Sequence, residues 1–75
     1  MNRINTEELG IALWLSGKEL TVSSAYTIEP GIEHDVVKNA VNHSINIEEW
    51  YQEFIAKEGY EDTKKRRIYF IRNAY

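Results

Sequence analysis

The chain contains no cysteine, and only one proline and four glycines occur among its 75 residues. Without cysteine, a disulfide framework and a thiolate zinc site are both excluded. The sequence also lacks an apolar run near the roughly 20 residues that cross a bilayer, and its first residues lead into glutamates rather than an apolar leader. We therefore expect a soluble, cytoplasmic protein whose stability comes from its own core or from a second subunit.

The residue patterns of known active sites are also missing. No glycine-rich phosphate loop, nucleophile elbow or metal-ligand spacing occurs. The two histidines, His34 and His43, stand nine positions apart on one predicted helix, and nine steps of about 100° place them on opposite faces. They cannot share a metal ion within one chain, and no second titrating group completes a catalytic pair. We expect no enzymatic activity, no cofactor and no metal.

The apolar content is high enough for a compact fold. Hydrophobic residues make up 43% of the chain and aromatic residues 12%, which is too apolar for an intrinsically disordered segment. A chain of this length is expected to form one domain, spanning residues 1–75. Such a small domain hides only about 60% of the surface that its unfolded chain exposes, so we expect a thin margin of stability.

Periodicity and capping residues predict the order helix, strand, helix, helix, strand. Asn5 with Glu8 forms a capping box that begins the first helix, and Asn46 with Glu49 forms one that begins the third. Alternation of apolar and polar residues predicts the first strand. The predicted elements are helices over residues 6–16, 33–44 and 47–58 and strands over residues 20–29 and 66–72. We therefore predict an α+β fold in which three helices pack on a small antiparallel sheet.

The last element has two interpretations. Residues 66–72 read as a strand in which cations alternate with aromatic residues. Residues 64–74 also fit a helix with Ile68, Ile71 and Arg72 on one side. In that alternative, the end of the chain is a basic amphipathic helix.

Charge is divided unequally along the chain. Residues 1–63 carry all twelve acidic residues and four basic ones, a net charge of −8, whereas residues 64–75 carry five basic residues and no acidic one, a net charge of +5. Cations interleaved with aromatic rings attract an anionic partner. The same pattern on an edge strand protects against aggregation, so both interpretations stay open. The candidate anion-binding residues are Lys64, Lys65, Arg66, Arg67 and Arg72.

The third predicted helix has an apolar side and an acidic side. Trp50, Tyr51 and Phe54 follow helical spacing, which favours a buried position over a role as partner anchors. The acidic side is the candidate surface for a partner and consists of Glu48, Glu49, Glu53 and Glu58. The first helix is apolar on several sides, which makes Trp14 and Leu15 candidates for self-association in a homodimer.

These features predict a small regulatory or inhibitory protein that acts by binding a protein partner. Its acidic surface would occupy a basic groove on the target, and complementary charge would speed the encounter. Small proteins of this kind are common products of phages and mobile elements, and we expect such an origin here. A related hypothesis is a toxin-neutralising or assembly subunit whose basic strand adds to a partner's sheet.

The predicted element order resembles that of winged-helix DNA-binding domains, in which helix, strand, helix and helix precede a two-stranded wing. The resemblance is topological and includes no sequence motif. It implies the alternative function, a nucleic-acid-binding regulator. Because the exposed side of residues 47–58 carries four glutamates, the basic segment over residues 64–72 would have to contact the phosphates.

Overall fold

The computed structural model describes residues 5–73, and each regular element in that range is a helix. The helices are α1 (Thr6–Leu15), α2 (Val22–Ile28), α3 (His34–Glu58) and α4 (Lys64–Asn73). The predicted α+β fold is therefore wrong, because residues 5–73 contain four helices and no strand. The predicted domain begins and ends with residues outside this range.

α1 begins where the sequence predicts. The Asn5 side chain accepts a hydrogen bond from the Glu8 backbone N–H (2.7 Å), which confirms Asn5 as the N-cap. The Glu8 carboxylate accepts from the Asn5 side chain (3.2 Å), whereas the predicted capping box would use the Asn5 backbone N–H. At the other end, the Ser16 hydroxyl donates to the Leu13 carbonyl (2.6 Å). Gly17 follows at φ 79°, a left-handed conformation that glycine adopts without a steric penalty.

α2 replaces the strand predicted over residues 20–29. Thr21 begins the helix, since its side chain accepts a hydrogen bond from the Ser24 backbone N–H (3.2 Å). The alternating pattern also contains helical spacing, because Val22, Ala25 and Tyr26 lie three and four positions apart. All three pack into one buried cluster as a helix. This burial outweighs the strand preference of the valine, tyrosine and threonines.

α3 joins two helices that the sequence predicts separately, over residues 33–44 and 47–58. The chain stays helical through Asn46, so this residue is not an N-cap. Ser44 does not interrupt the helix, because its buried hydroxyl donates to the Val41 carbonyl (2.7 Å). One buried stripe follows the whole helix and consists of Val37, Ala40, Ser44, Ile47, Tyr51 and Ile55.

α4 replaces the strand predicted over residues 66–72, and the structure adopts the helical alternative; Ala74, which that alternative included, lies outside the described residues. Gly59 ends α3 at φ 71°, as predicted. The Thr63 hydroxyl then accepts a hydrogen bond from the Arg66 backbone N–H (3.1 Å) and begins α4. A helix at residues 64–73 provides neither a wing nor a strand for addition to another sheet, so the winged-helix resemblance and the predicted basic strand are wrong. A toxin-neutralising or assembly role stays a prediction.

Two buried clusters occupy successive halves of α3. The aliphatic cluster lies between α1, α2 and the first half of α3 and consists of Leu9, Leu13, Ala25, Val37 and Ala40. The aromatic cluster lies between the end of α1, the second half of α3 and α4 and consists of Trp14, Ile47, Tyr51, Ile55 and Phe70. Leu20 packs against both clusters. Within the described range, no helix combines the length and hydropathy that a membrane crossing needs.

Candidate functional site

Arg67 of α4 binds two carboxylates from other parts of the chain. Its Nε and Nη2 donate to the two oxygens of Asp62 (2.9 Å each), and its Nη1 donates to Glu48 Oε1 on α3 (3.0 Å). The planar guanidinium matches a carboxylate at both oxygens, which gives a stronger and more directional contact than a single ion pair. Only 24% of the Arg67 side chain is exposed. Arg67 therefore fastens α4 to the rest of the protein.

The same two carboxylates accept hydrogen bonds from buried aromatic residues. Trp14 Nε1 donates to Glu48 Oε1 (2.8 Å), and the Tyr51 hydroxyl donates to Asp62 Oδ1 (2.8 Å). The Arg67 guanidinium carbon lies 4.8 Å from the centroid of each of these two rings. We call these five residues the Arg67 network: Trp14, Glu48, Tyr51, Asp62 and Arg67. It satisfies the polar atoms of two core aromatics and links α1, α3 and α4.

The Arg67 network shifts the pKa of its members. Burial, followed by the hydrogen bond to Asp62, raises the pKa of Tyr51 to about 12. The hydrogen bond from Arg67 holds the pKa of the Asp62 carboxyl below its ordinary value. Hydrogen bonding to Asp62 raises the pKa of Arg67. Each shift favours the protonation state that preserves the network at neutral pH, which is the behaviour of a structural ion pair.

An open cleft of about 570 Å³ lies beside the Arg67 network. Its lining includes Gly17, Lys18 and Leu20 from the α1–α2 connection, and Thr63 and Lys64 from the start of α4. Glu48, Asp62 and Arg67 also border it, but their polar atoms are engaged with each other. The cleft thus presents charges of both signs and no concentration of either.

The five predicted basic residues occupy two kinds of environment, contacts within the chain and the exposed surface. Arg67 lies in its network, and the Arg66 guanidinium carbon lies 3.8 Å from the centroid of the Tyr60 ring. Lys64, Lys65 and Arg72 are exposed. Two of the five candidate cations therefore have structural contacts, and three remain at the surface for an anion.

The predicted acidic residues are divided in the same way. Glu48 accepts hydrogen bonds from Trp14, Arg67 and, at its second oxygen, Gln52 (2.7 Å). Its carboxylate is therefore occupied within the chain. The other three predicted residues are exposed on α3, namely Glu49, Glu53 and Glu58.

Trp50 is exposed, although the sequence favours a buried position for it. Its side chain is 57% exposed, the largest value among the large hydrophobic residues described. Tyr51 is fully buried, as predicted, and Phe54 is partly buried. The buried stripe passes through Ile47 and Tyr51, and Trp50 lies about 100° away from it around the helix. The spacing alone contained this signal, since a stripe centred on Tyr51 leaves Trp50 at its edge.

Two shallow concavities flank Trp50. One, of about 500 Å³, is bordered by Asn46, Glu49 and Glu53, and the other, of about 270 Å³, by Glu53, Phe54, Lys57 and Phe70. Both include Trp50 itself. We call this surface the Trp50 face and define it by Glu49, Trp50, Glu53 and the bordering Lys57. It combines one large exposed aromatic ring, two carboxylates, one bordering ammonium group and room on both sides of the ring.

The two residues predicted for self-association have different environments. Trp14 is only 2% exposed and packs edge-on against Tyr51, with ring centroids 5.1 Å apart. Leu15 is partly buried against the aromatic cluster. The core accounts for the apolar character that suggested an interface at Trp14. Self-association itself stays a prediction.

The histidines lie apart from the Arg67 network. His34 Nδ1 lies 3.3 Å from the Tyr26 hydroxyl, and His43 lies against Gly10, where an added Cβ would be 2.7 Å from the His43 ring. Among residues 5–73, no group of three histidine, aspartate or glutamate side chains is arranged to hold a metal ion.

Comparison of the chain with protein-family models, with curated proteins and with solved structures finds no match.

Proposed function

We propose that this chain is a non-enzymatic regulatory or inhibitory protein that binds a protein partner through the Trp50 face. The observation that carries the proposal is the exposed Trp50 side chain between Glu49 and Glu53. A tryptophan left 57% exposed costs the folded protein hydrophobic stabilisation that a partner can supply. Tryptophan is also among the residues most enriched at the energetic centres of protein interfaces.

The chemistry of the Trp50 face defines the partner. The indole requires an apolar pocket, and the concavities on both sides admit side chains that enclose it. Glu49 and Glu53 require cations around that pocket, and complementary charge raises the rate of encounter. The partner we propose is therefore a protein with an apolar pocket rimmed by lysine or arginine. Occupation of that pocket would exclude the ligand that the pocket ordinarily binds, and this chain would thereby inhibit its partner.

Affinity capture with matched variants tests this function. The tagged wild-type chain is compared with Trp50→Ala, with the double variant Glu49→Lys and Glu53→Lys, and with the control Glu58→Lys and Glu61→Lys. The control makes the same change in net charge at two exposed positions beyond the Trp50 face. We expect one protein to be captured by the wild type and the control and to be lost with both Trp50-face variants. Equal capture by all four chains would contradict the assignment of the surface.

Nucleic-acid binding is a second candidate, favoured by the exposure of Lys64, Lys65 and Arg72 on the helix that also exposes Tyr69. Three phosphate contacts predict a slope of about −2.7 in log affinity against log salt on duplex DNA. Lys64→Glu with Lys65→Glu is the informative variant, because acidic residues in the first turn of α4 also favour the helix dipole. Fluorescence anisotropy should show binding that disappears in this variant. Salt-independent binding, or binding that survives the double change, would exclude this surface.

A cytoplasmic location belongs to the same proposal. A fluorescent fusion of the chain should distribute evenly through the cytoplasm of its native cell. Recovery of the chain with the membrane fraction after a high-salt wash would contradict that location.

A further inference from the structure

The outer face of α4 has a composition complementary to the Trp50 face. Lys65, Ile68, Tyr69 and Arg72 follow the three- and four-residue spacing of one helical face. Ile68 is 37% exposed and Tyr69 50% exposed, and both cations are exposed. We call these four residues the α4 outer face. It places two apolar side chains between two positive charges, whereas the Trp50 face places one apolar ring between two carboxylates, with Lys57 at its border.

The two faces point away from the interior of the same chain. Ile68 and Arg72 each lie two positions from Phe70, the buried residue of α4, and two positions correspond to about 200° around a helix. Glu49 and Glu53 have the same relation to the buried Tyr51 on α3. Glu49, Glu53, Ile68 and Arg72 therefore lie opposite the side by which their own helix packs. Contact between these outward residues of the two faces requires a second molecule.

We propose that a second copy of this chain docks its α4 outer face onto the Trp50 face of the first. Lys65 and Arg72 of the second copy would pair with Glu49 and Glu53 of the first, and Ile68 and Tyr69 would cover the Trp50 ring. Exposed charge pairs contribute little and are screened by salt, so most of the affinity comes from covering the apolar side chains. The charges select the partner face and the register.

This association uses the same surface as the proposed function and rests on its assignment of the Trp50 face as a binding surface. Self-association would therefore compete with a protein partner for Trp50. The contact joins two unlike faces, so each molecule keeps one face for a further copy and the chain of contacts can extend. A twofold arrangement closes it into a dimer that contains two such contacts.

Sedimentation velocity of the purified chain over a range of concentrations tests the inference. The salt concentrations are about 0.01 M and about 1 M, where the Debye length is about 30 Å and about 3 Å. The chains compared are wild type, Glu53→Arg, Arg72→Glu, the double variant with both changes, and the control Glu58→Arg. We expect the wild type and the control to associate at low salt. Glu53→Arg and Arg72→Glu should each weaken association by about tenfold or more. The double variant should recover the association of the wild type.

The decisive result is the rescue. If the double variant associates no better than either single variant, the two faces do not meet, and the inference is wrong. A wild-type chain that stays monomeric at every concentration and at both salt levels also overturns it. That second outcome leaves capture of a different protein by the Trp50 face intact, so failure of self-association and failure of the proposed function are distinguishable.

Discussion

The two halves of this small protein are held together by different forces. The aliphatic cluster consists of leucine, valine and alanine side chains from α1, α2 and α3. These side chains carry no polar group, so the cluster is stabilised by burial and close packing. The aromatic cluster contains a tryptophan and a tyrosine whose polar atoms are buried, and it needs the Arg67 network to satisfy them. One half therefore depends on close packing, and the other depends on charges that pH and salt can change.

The difference extends to the surface. The Trp50 face and the α4 outer face both belong to the helices that enclose the aromatic cluster, α3 and α4. α4 is mostly polar, and Phe70 is its buried residue. The half that needs a polar network to assemble is thus also the half that presents exposed aromatic residues. We infer that the aliphatic half is the scaffold and the aromatic half is the binding end.

Truncation in the aliphatic half should have the largest effect on stability. Leu13 is fully buried between α1 and its neighbours, so Leu13→Ala should lower the free energy of unfolding by about 2–5 kcal/mol. Urea denaturation followed by circular dichroism measures it. The exposed Ser23→Ala on α2 is the control and should change little. A loss below about 1 kcal/mol for Leu13→Ala would mean that the aliphatic cluster is loosely packed.

Alkaline pH should destabilise the aromatic half specifically. The unfolded chain deprotonates Tyr51 from about pH 10, whereas the folded chain holds its proton until about pH 12. The stabilising contribution is therefore complete below about pH 10 and is lost between about pH 10 and 12, on the order of 2–3 kcal/mol. The difference in ultraviolet absorbance between wild type and Tyr51→Phe gives the titration. Phenolate appearing in that difference near pH 10 would show that Tyr51 is not buried against Asp62.

A single methyl group added between α1 and α3 should destabilise the protein. A Cβ at Gly10 would lie 2.7 Å from His43 Cδ2 and 3.1 Å from the Ala40 carbonyl oxygen. The histidine ring can rotate but the backbone oxygen cannot move freely, so Gly10→Ala should cost about 1–3 kcal/mol. Adding His43→Ala should restore only part of the loss. If Gly10→Ala stabilises the protein through its better helix propensity, the two helices are farther apart than the structure indicates.

Removal of the arginine at the centre of the network should have a moderate and pH-dependent effect. Arg67→Met keeps most of the side-chain volume but leaves Asp62 and Glu48 without their cation, at a cost of about 1–2 kcal/mol. The pKa of Asp62 is lowered in the folded protein, so this contribution is present above about pH 4 and is lost as pH falls below it. The stability difference between wild type and Arg67→Met should shrink in acid. Lys38→Met, at an exposed position on α3 outside both proposed surfaces, is the control.

Trp50→Ala should have the smallest effect on folding and the largest on binding. Only part of the Trp50 side chain is covered within the chain, so the change in unfolding free energy should stay below about 1 kcal/mol. Thermal unfolding measures this beside the capture assay. A loss of several kcal/mol would move Trp50 into the core and remove the reason for proposing it as an anchor.

The parts of the fold that could be predicted from the sequence are those specified by local interactions. The Asn5 N-cap and the Gly59 stop depend on residues a few positions away, and both predictions are confirmed. The two predicted strands are wrong because short apolar patterns fit either period, and contacts with distant helices decide between them. Around Ala25 and Phe70, that decision depends on α1 and α3.

The candidate surfaces could be predicted only in part. The sequence identifies which residues carry charge but not which charges pair, and Arg67 finds Asp62 five positions away and Glu48 nineteen positions away. Predicting those contacts requires the angle at which α4 crosses α3. The exposure of Trp50 differs from the sequence prediction for a simpler reason, because the apolar stripe in the sequence is wider than the buried stripe of α3.

Site-specific photocrosslinking in the native cell tests most directly whether the aromatic half is the binding end. A photoreactive phenylalanine derivative replaces Asn46, which is exposed on α3 beside Trp50, in one chain and Ser23, which is exposed on α2, in another. We predict a crosslinked protein partner from position 46 and none from position 23. Crosslinks from position 23 alone would place the binding surface on the aliphatic half and contradict the account.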